Sequence, residues 1–268
     1  MLLRLKLPLL VSFITSTNSF SSKGRSKVLE TYRGVNFKAM ASREIEVEAK
    51  FKVSSLEELE KQISVMNGER MASKEFTDEY FDTDTPTLTL QNHWLRFRKY
   101  AGMEGSWQLK KPTNVASNDG TESIPVAIYE EIEGIQAVRI ATSIITKRDV
   151  DDMEDEKSLL LLGGLKSFAK IITRRTRWTL LPMNGNAVIK NICIDIDVAD
   201  FGHSVGEIEA VVDNEDKISE ARNQIDAIMK EMGIESANPE DKAEGKLEMF
   251  LRTQRPNHFR LCIEAGVL

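Results

Sequence analysis

The stretch Glu46-Val-Glu-Ala-Lys-Phe51 alternates charged and apolar residues without a break. Successive side chains of a β-strand point to opposite faces, so Glu46, Glu48 and Lys50 share one face and the apolar residues share the other. For a single strand, an ordinary sheet with a wet charged face explains this pattern. The fold therefore depends on whether other segments repeat it.

The same alternation recurs along the chain, which predicts about eight short strands. They are Arg43–Val53, Thr77–Asp82, Leu88–Tyr100, Ser106–Lys111, Ala127–Ile132, Lys170–Leu181, Asn191–Val198 and Glu207–Asp213. Several of these strands carry charges of one sign on the charged face, such as Arg96 with Arg98, or Asp195 with Asp197. Solvent-facing strands usually mix both signs. This favours a barrel that turns its charged faces inward.

Amphipathic helices supply the cover that the apolar outer face of such a barrel needs. Ser55, with Glu58 three residues later, matches a capping box at a helix start. The predicted helices are Ser55–Met66, residues 135–147, residues 155–162, Lys217–Met232 and Asp241–Thr253. The polar segment Asn114–Ser123 is predicted to be a loop. The predicted fold class is α+β, mainly β, with helices packed outside a barrel.

The charges of this barrel also indicate its chemistry. Carboxylates of the same sign repel one another when strands bring them together, and a cation between them turns that repulsion into binding. Oxygen ligands favour Mg²⁺, with Mn²⁺ as the alternative. Arginine and lysine suit phosphate oxygens. A lumen that holds both signs therefore indicates a metal-bound polyanion, because buried charges without such a ligand would be costly.

Composition narrows the class of protein. The chain has 268 residues and a net charge of −6, which gives no overall field for nucleic acid. Two cysteines, Cys193 and Cys262, fit a reducing compartment, and the three histidines lack metal-ligand spacing. We expect a monomer that binds a small molecule and neither nucleic acid nor membrane.

Residues 1–39 differ from the rest of the chain. A short apolar run, Leu7–Ile14, is followed by a serine-rich, basic segment, and the first acidic residue is Glu30. The alternatives that remain open are a targeting peptide for a plastid or mitochondrion and, for a cytoplasmic protein, either a disordered extension or a mis-assigned start, since Met40 directly precedes the folded part. Residues 40–268 are predicted to form one domain.

An ordered set of motifs resembles the CYTH superfamily, the triphosphate tunnel metalloenzymes. The motif Glu46-x-Glu48-x-Lys50 is short, but further strings occur in the expected order. They are HWLRFR (His93–Arg98), WQLKKP (Trp107–Pro112), TRRTRW (Thr173–Trp178), DIDVADFGHSVGEIE (Asp195–Glu209) and GKLEMFL (Gly245–Leu251). The set is most similar to the branch that hydrolyses thiamine triphosphate. The resemblance implies a closed, eight-stranded antiparallel tunnel.

The resemblance also implies roles for individual residues. One or two metal ions would be held by Glu46, Glu48, Asp195, Glu207 and Glu209, with Asp197 less clearly among them. Phosphates would be held by Lys50, Arg96, Arg98, Lys110, Arg175 and Lys246, and Glu131 would brace this basic set. Arg177 is the alternative to Arg175, since both lie on one face. Lys110 with Tyr129 would supply a proton or polarise the attacking water.

The implied reaction is Mg²⁺-dependent hydrolysis of a triphosphate. Trp94 is expected to face inward beside Arg96, where its indole would stack on the thiazolium cation of thiamine triphosphate. The alternatives are an inorganic triphosphatase, another triphosphate hydrolase of the superfamily, or a polyphosphate-binding module without catalysis.

Overall fold

Eight antiparallel strands close into a barrel in the computed structural model, which describes residues 44–113, 125–180, 192–234 and 243–268. The strands are β1 (Glu44–Phe51), β2 (Glu69–Arg70), β3 (Lys74–Asp82), β4 (Trp94–Tyr100), β5 (Ser106–Pro112), β6 (Val126–Glu133), β7 (Lys166–Leu180), β8 (Ile192–Ala199) and β9 (Ser204–Val212). The barrel order is β7-β3-β4-β5-β6-β1-β9-β8, and pairing of β8 with β7 closes it. The short β2 is an extra strand beside β7. The predicted fold class is confirmed.

Helices cover the barrel. They are α1 (Leu56–Val65), α2 (Ile135–Thr146), α3 (Glu156–Gly163), α4 (Ile218–Glu231), α5 (Lys246–Gln254) and α6 (Pro256–Glu264). The hydroxyl of Ser55 accepts a hydrogen bond from the backbone N–H of Glu58, 3.3 Å away, which confirms the predicted cap of α1.

Most of the hydrophobic core lies outside the lumen. Val47, Ile194 and Ile208 on the outer face of β1, β8 and β9 pack with Ile63 of α1 and Ile225 of α4. A second cluster packs α2 and α3 against β4 and β5. Because apolar side chains of alternate residues are buried outside, the charged residues between them must face the interior. The alternation argument therefore assigned the two faces of these strands correctly.

The segment Leu88–Tyr100 was predicted to be one strand, and this prediction was wrong for its first part. Residues Thr89–Gln91 form a 3₁₀ turn, Asn92 has a left-handed backbone with φ of 58°, and β4 begins only at Trp94. The carboxylate of Asp82 accepts hydrogen bonds from four backbone amides, those of residues 83, 87, 88 and 89. Those amides are therefore unavailable to a strand.

Two elements were not predicted. The strand β2 is too short to show an alternation, and α6 begins with Pro256 at its first turn, a start signal that the sequence offered. The strands β3, β7 and β9 also begin three or four residues before their predicted starts. The predicted loop Asn114–Ser123 and the segment 1–39 lie outside the described residues.

No helix within the described ranges is both long and apolar enough to cross a membrane.

We expect a chain that starts at Met40 to fold and to retain full catalytic activity, because the barrel begins with β1 at Glu44. The measurement compares the melting temperature of this chain, and its kcat/KM for the triphosphate hydrolysis that the resemblance implies, with those of the 268-residue protein. An insoluble or inactive product would place part of the domain before Met40.

Candidate active site

A cavity of about 1060 Å³ occupies the barrel interior, and charged side chains of both signs line it. The charged lining residues of the strands and of α5 are Glu46, Glu48, Lys50, Lys74, Arg96, Arg98, Lys110, Glu131, Arg175, Arg177, Glu207, Glu209, Lys246 and Glu248. Trp94 and Tyr129 line the same cavity. The residues predicted for the site thus meet in one place, with two exceptions. Asp195 and Asp197, the latter less clearly predicted, do not line the cavity.

The acidic side of the cavity is built by β1 and β9. The register places Glu48 opposite Glu209 and Lys50 opposite Glu207. The ammonium of Lys110 reaches across from β5 and lies 2.6 Å from Oε2 of Glu46 and 2.9 Å from Oε2 of Glu48. This lysine therefore joins the two acids of the motif.

The two motif acids differ in their affinity for protons. Burial, together with the nearby carboxylates of Glu48, Glu209 and Glu131, raises the pKa of Glu46 to about 8 against the opposing effect of Lys110. Burial would raise the pKa of Glu48 as well, but Lys110 and Lys50 outweigh it and hold that pKa well below its usual value. Glu48 is therefore a stable anion, whereas negative charge at Glu46 needs a further cation.

Two arginines on β7 are held by buried aspartates on β8. Arg175 donates two hydrogen bonds of 2.7 Å to Asp197, and Arg177 donates two, of 2.7 and 2.6 Å, to Asp195. Arg175 also lies 2.5 Å from Asp195. Both aspartates are fully buried, with 0% exposure, so each needs such a partner. The choice between Arg175 and Arg177 therefore stays open in the geometry, since both line the cavity.

Asp195 and Asp197 differ from the glutamates that were grouped with them, of which Glu207 and Glu209 each accept one hydrogen bond from these arginines. Both oxygens of each aspartate accept such bonds, and Asp197 also pairs with Lys246 at the start of α5. These contacts hold the pKa of Asp197 below its usual value, against the effect of burial. Direct metal binding by Asp195 remains a prediction, and its visible contacts are those of a residue that positions arginines.

Asp78 on β3 was not among the predicted site residues. Its carboxylate accepts two hydrogen bonds of 2.7 Å from Arg98 and lies 3.7 Å from Arg96, and only 1% of the residue is exposed. Arg96 in turn reaches Glu131 at 3.2 Å, which is the contact expected of a brace. The sequence feature that could have identified Asp78 as a site residue is its position in the predicted strand Thr77–Asp82, on the same face as Tyr80.

Trp94 and Tyr129 meet at a shared asparagine. The indole N–H of Trp94 and the hydroxyl of Tyr129 both donate to Oδ1 of Asn92, at 2.8 and 2.9 Å. The ammonium of Lys110 lies 5.7 Å from the centre of the Tyr129 ring. Trp94 lines the cavity, and Asn92 holds the N–H edge of its indole in place.

The chemistry of the acidic donors fits a hard divalent cation. Glu46 Oε2 is buried and makes no hydrogen bond, although Lys110 lies within ion-pair distance of it. Burial and the surrounding carboxylates raise its pKa, and a bound cation would relieve this crowding of negative charge. Among the described residues, no three acidic, histidine or cysteine side chains already form a ligand cage. An ion would therefore have to exchange with the ammonium groups that now pair with these acids.

A closed antiparallel barrel with paired cations and carboxylates inside it defines a tunnel fold, and such an interior fits a small polyanion. The sequence profile of the CYTH domain matches residues 44–243, and the chain belongs to the CYTH family.

Two relatives carry the name thiamine-triphosphatase. The human protein is 28% identical over 229 residues, which cover 85% of this chain and 93% of that protein. The Macaca fascicularis protein is 28% identical over 227 residues, with the same two coverages.

Among solved structures, a candidate adenylate cyclase from Vibrio parahaemolyticus aligns with a TM-score of 0.51. It is 17% identical, and the alignment covers 78% of this chain and 98% of that one. This likeness concerns the fold.

Proposed function

We propose that this chain hydrolyses thiamine triphosphate to thiamine diphosphate and phosphate, with Mg²⁺ as the cofactor. The observation that carries the proposal is one cavity in which a row of carboxylates on β1 and β9 faces a set of arginines and lysines, with Trp94 in the same lining. The name of the two mammalian relatives supports thiamine triphosphate over other triphosphates.

The cations would bind and orient the phosphates. Arg96, Arg98 and Arg175 are already held by buried or half-buried acids, so their guanidinium groups are positioned before a substrate arrives. Such preorganised charge stabilises the negative charge that develops during phosphoryl transfer without further reorganisation. Lys246 would approach from α5, and Lys50 from β1.

Glu46, Glu48, Glu207 and Glu209 would hold the metal ion. When bound, it would neutralise phosphate charge and lower the pKa of a water molecule. Burial would lower the pKa of Lys110, but Glu46, Glu48 and Glu131 raise it well above its usual value. Lys110 therefore stays protonated, which suits it to polarise a water or a phosphate oxygen and excludes it as the general base. Tyr129 would position Lys110 through its ring, since its hydroxyl proton is donated to Asn92.

The test is phosphate release by the purified protein with thiamine triphosphate, inorganic triphosphate and ATP, each with Mg²⁺. We expect the highest kcat/KM for thiamine triphosphate. A higher value for inorganic triphosphate would favour the general triphosphatase, and no hydrolysis of any of the three would favour a binding module.

We expect Trp94→Ala to lower kcat/KM for thiamine triphosphate by roughly 3- to 30-fold, the worth of one cation–π contact. Hydrolysis of inorganic triphosphate should change much less, because that substrate has no ring to stack. Trp94→Phe is the matched control, since it keeps an aromatic face but loses the N–H that donates to Asn92. Equal losses on both substrates in Trp94→Ala would make this tryptophan structural.

A further inference from the structure

The last residues of the sequence lie at the cavity. Gly266, Val267 and Leu268 are among its lining residues, together with Leu247 of α5 and with Trp94. Val267 and Leu268 are half-buried. They bring aliphatic side chains to a lining that the strands make strongly charged.

The end of α6 fixes the direction of these residues. Gly266 has a φ of +69°, a left-handed conformation that glycine adopts without steric cost. Its N–H donates to the carbonyl of Ile263, and the N–H of Val267 donates to the carbonyl of Cys262, both at 3.0 Å. This pair of bonds is a Schellman motif. The chain therefore leaves the helix in one defined direction, toward the cavity.

A hydrogen-bonded contact fastens α6 to the segment that leads into β4. His258 Nε2 lies 2.7 Å from Oγ1 of Thr89, and that hydroxyl lies 2.9 Å from the carboxylate of Asp82. The carboxylate can only accept, so the Thr89 hydroxyl donates to it and His258 donates to Thr89. The ring of Phe168 lies 4.7 Å from that of His258. The helix α6, which carries residues 266–268 (the tail), is thus anchored to Thr89, five residues before Trp94.

Triphosphate oxygens gain nothing from aliphatic neighbours, whereas the organic part of a substrate does. We propose that Val267 and Leu268, with Leu247, form an apolar wall that binds the organic group of an organic triphosphate, in the same cavity as the basic residues that hold its phosphates. This inference rests on the proposed function and deepens it: the tail would select substrates by their leaving group. Trp94 would supply the aromatic contact and the tail the aliphatic one.

The test uses the full chain with Leu268→Ser and with Val267→Ser/Leu268→Ser. The first substitution lies beyond the Schellman hydrogen bonds and leaves them in place. We expect the double variant to raise KM for thiamine triphosphate about tenfold, since removal of apolar contacts in a pocket has effects of this order, with kcat nearly unchanged. For inorganic triphosphate, both constants should stay within about twofold, because that substrate makes no such contact.

Two controls separate binding from folding. Ile263→Ser removes an aliphatic side chain that is 47% exposed on α6 and does not line the cavity, so both KM values should stay unchanged. Val267→Ile/Leu268→Met keeps an apolar wall and should restore a low KM for thiamine triphosphate.

An unchanged KM for thiamine triphosphate in both serine variants, or an equal rise for the two substrates, would overturn the inference. The wild-type protein reports on the proposed function separately. If it fails to prefer thiamine triphosphate, that function fails, whatever the tail variants do.

Discussion

Glu46→Gln is expected to lower the Mg²⁺-dependent hydrolysis of thiamine triphosphate by at least about 100-fold, the scale of a lost group that stabilises transition-state charge. The reason lies in the acidic side of the cavity, where Glu46 is buried and Oε2 has no hydrogen bond. A neutral amide in its place weakens the attraction for a cation. Excess chelator should abolish the activity of the wild-type protein, and Mg²⁺ should restore it.

The fold should survive this substitution. Burial, together with the nearby carboxylates, raises the pKa of Glu46 to about 8, so near neutral pH this side chain is mostly protonated in the metal-free protein and a neutral amide replaces a neutral group. The melting temperature in chelator should therefore stay the same or rise. Glu48→Gln should abolish activity as well, but it removes the anion that pairs with Lys50 and Lys110 and should lower the melting temperature.

Glu44→Gln is the matched control, because this glutamate lies on the same strand and face but is exposed. It should leave activity unchanged. Full activity of the wild-type protein in excess chelator would contradict the metal-dependent reaction, as would a Glu46→Gln variant that keeps wild-type turnover.

The sequence predicted the strands of the barrel because the alternation of charged and apolar residues can be seen within each strand. Each of the long strands shows which side chains share a face, and the charged faces carry mostly one sign per strand. The registers that pair Glu48 with Glu209 and Lys110 with Glu131 involve residues far apart in the chain, and no local pattern encodes them. The family resemblance, rather than the alternation, connected these strands into one site.

The wrong strand start before β4 and the missed Asp78 also arise from contacts between residues that are distant in the sequence. The 3₁₀ turn at Thr89–Gln91 depends on the carboxylate of Asp82, which is six to seven residues earlier and accepts the amides of Leu88 and Thr89. An apolar run looks the same in sequence whether or not such a carboxylate takes its hydrogen bonds. Asp78 was missed for a related reason: its role is defined by Arg98 on the neighbouring strand.

The sequence also grouped acids that the fold separates. Asp195 and Glu207 lie opposite each other in the register of β8 and β9. Only Glu207 lines the cavity, however, because Arg175 and Arg177 cover Asp195. Strand parity gives the face of a residue but not its depth beneath longer side chains. The depth of a side chain decides whether its carboxylate can reach a ligand in the cavity, as that of Glu207 can although it also accepts a hydrogen bond from Arg175.

Arg98→Met is expected to lower kcat/KM by about 100- to 1,000-fold for thiamine triphosphate and for inorganic triphosphate alike, since it removes a charged donor to phosphate oxygens. The side chain lines the cavity, and Asp78 holds it through two hydrogen bonds of 2.7 Å. Equal losses on both substrates are expected because the contact is to phosphate, which the two substrates share. This distinguishes Arg98 from Trp94.

The single variant has a second effect that must be separated from catalysis. Without Arg98, the carboxylate of Asp78 stays buried with Arg96 3.7 Å away and no bidentate partner, and breaking a buried ion pair costs about 3–5 kcal/mol. The double variant Asp78→Asn/Arg98→Met removes the stranded charge. Its melting temperature should recover toward that of the wild type, while its activity stays low on both substrates.

Lys99→Met serves as the control for loss of a positive charge, because Lys99 follows Arg98 on β4 and is exposed on the outer face. Its activity and melting temperature should match those of the wild-type protein. If the double variant regained activity together with stability, Arg98 would act only as the partner of Asp78. Phosphate binding would then have to rest on Arg96, Arg175 and the lysines, whose contacts with buried acids hold them in the same cavity.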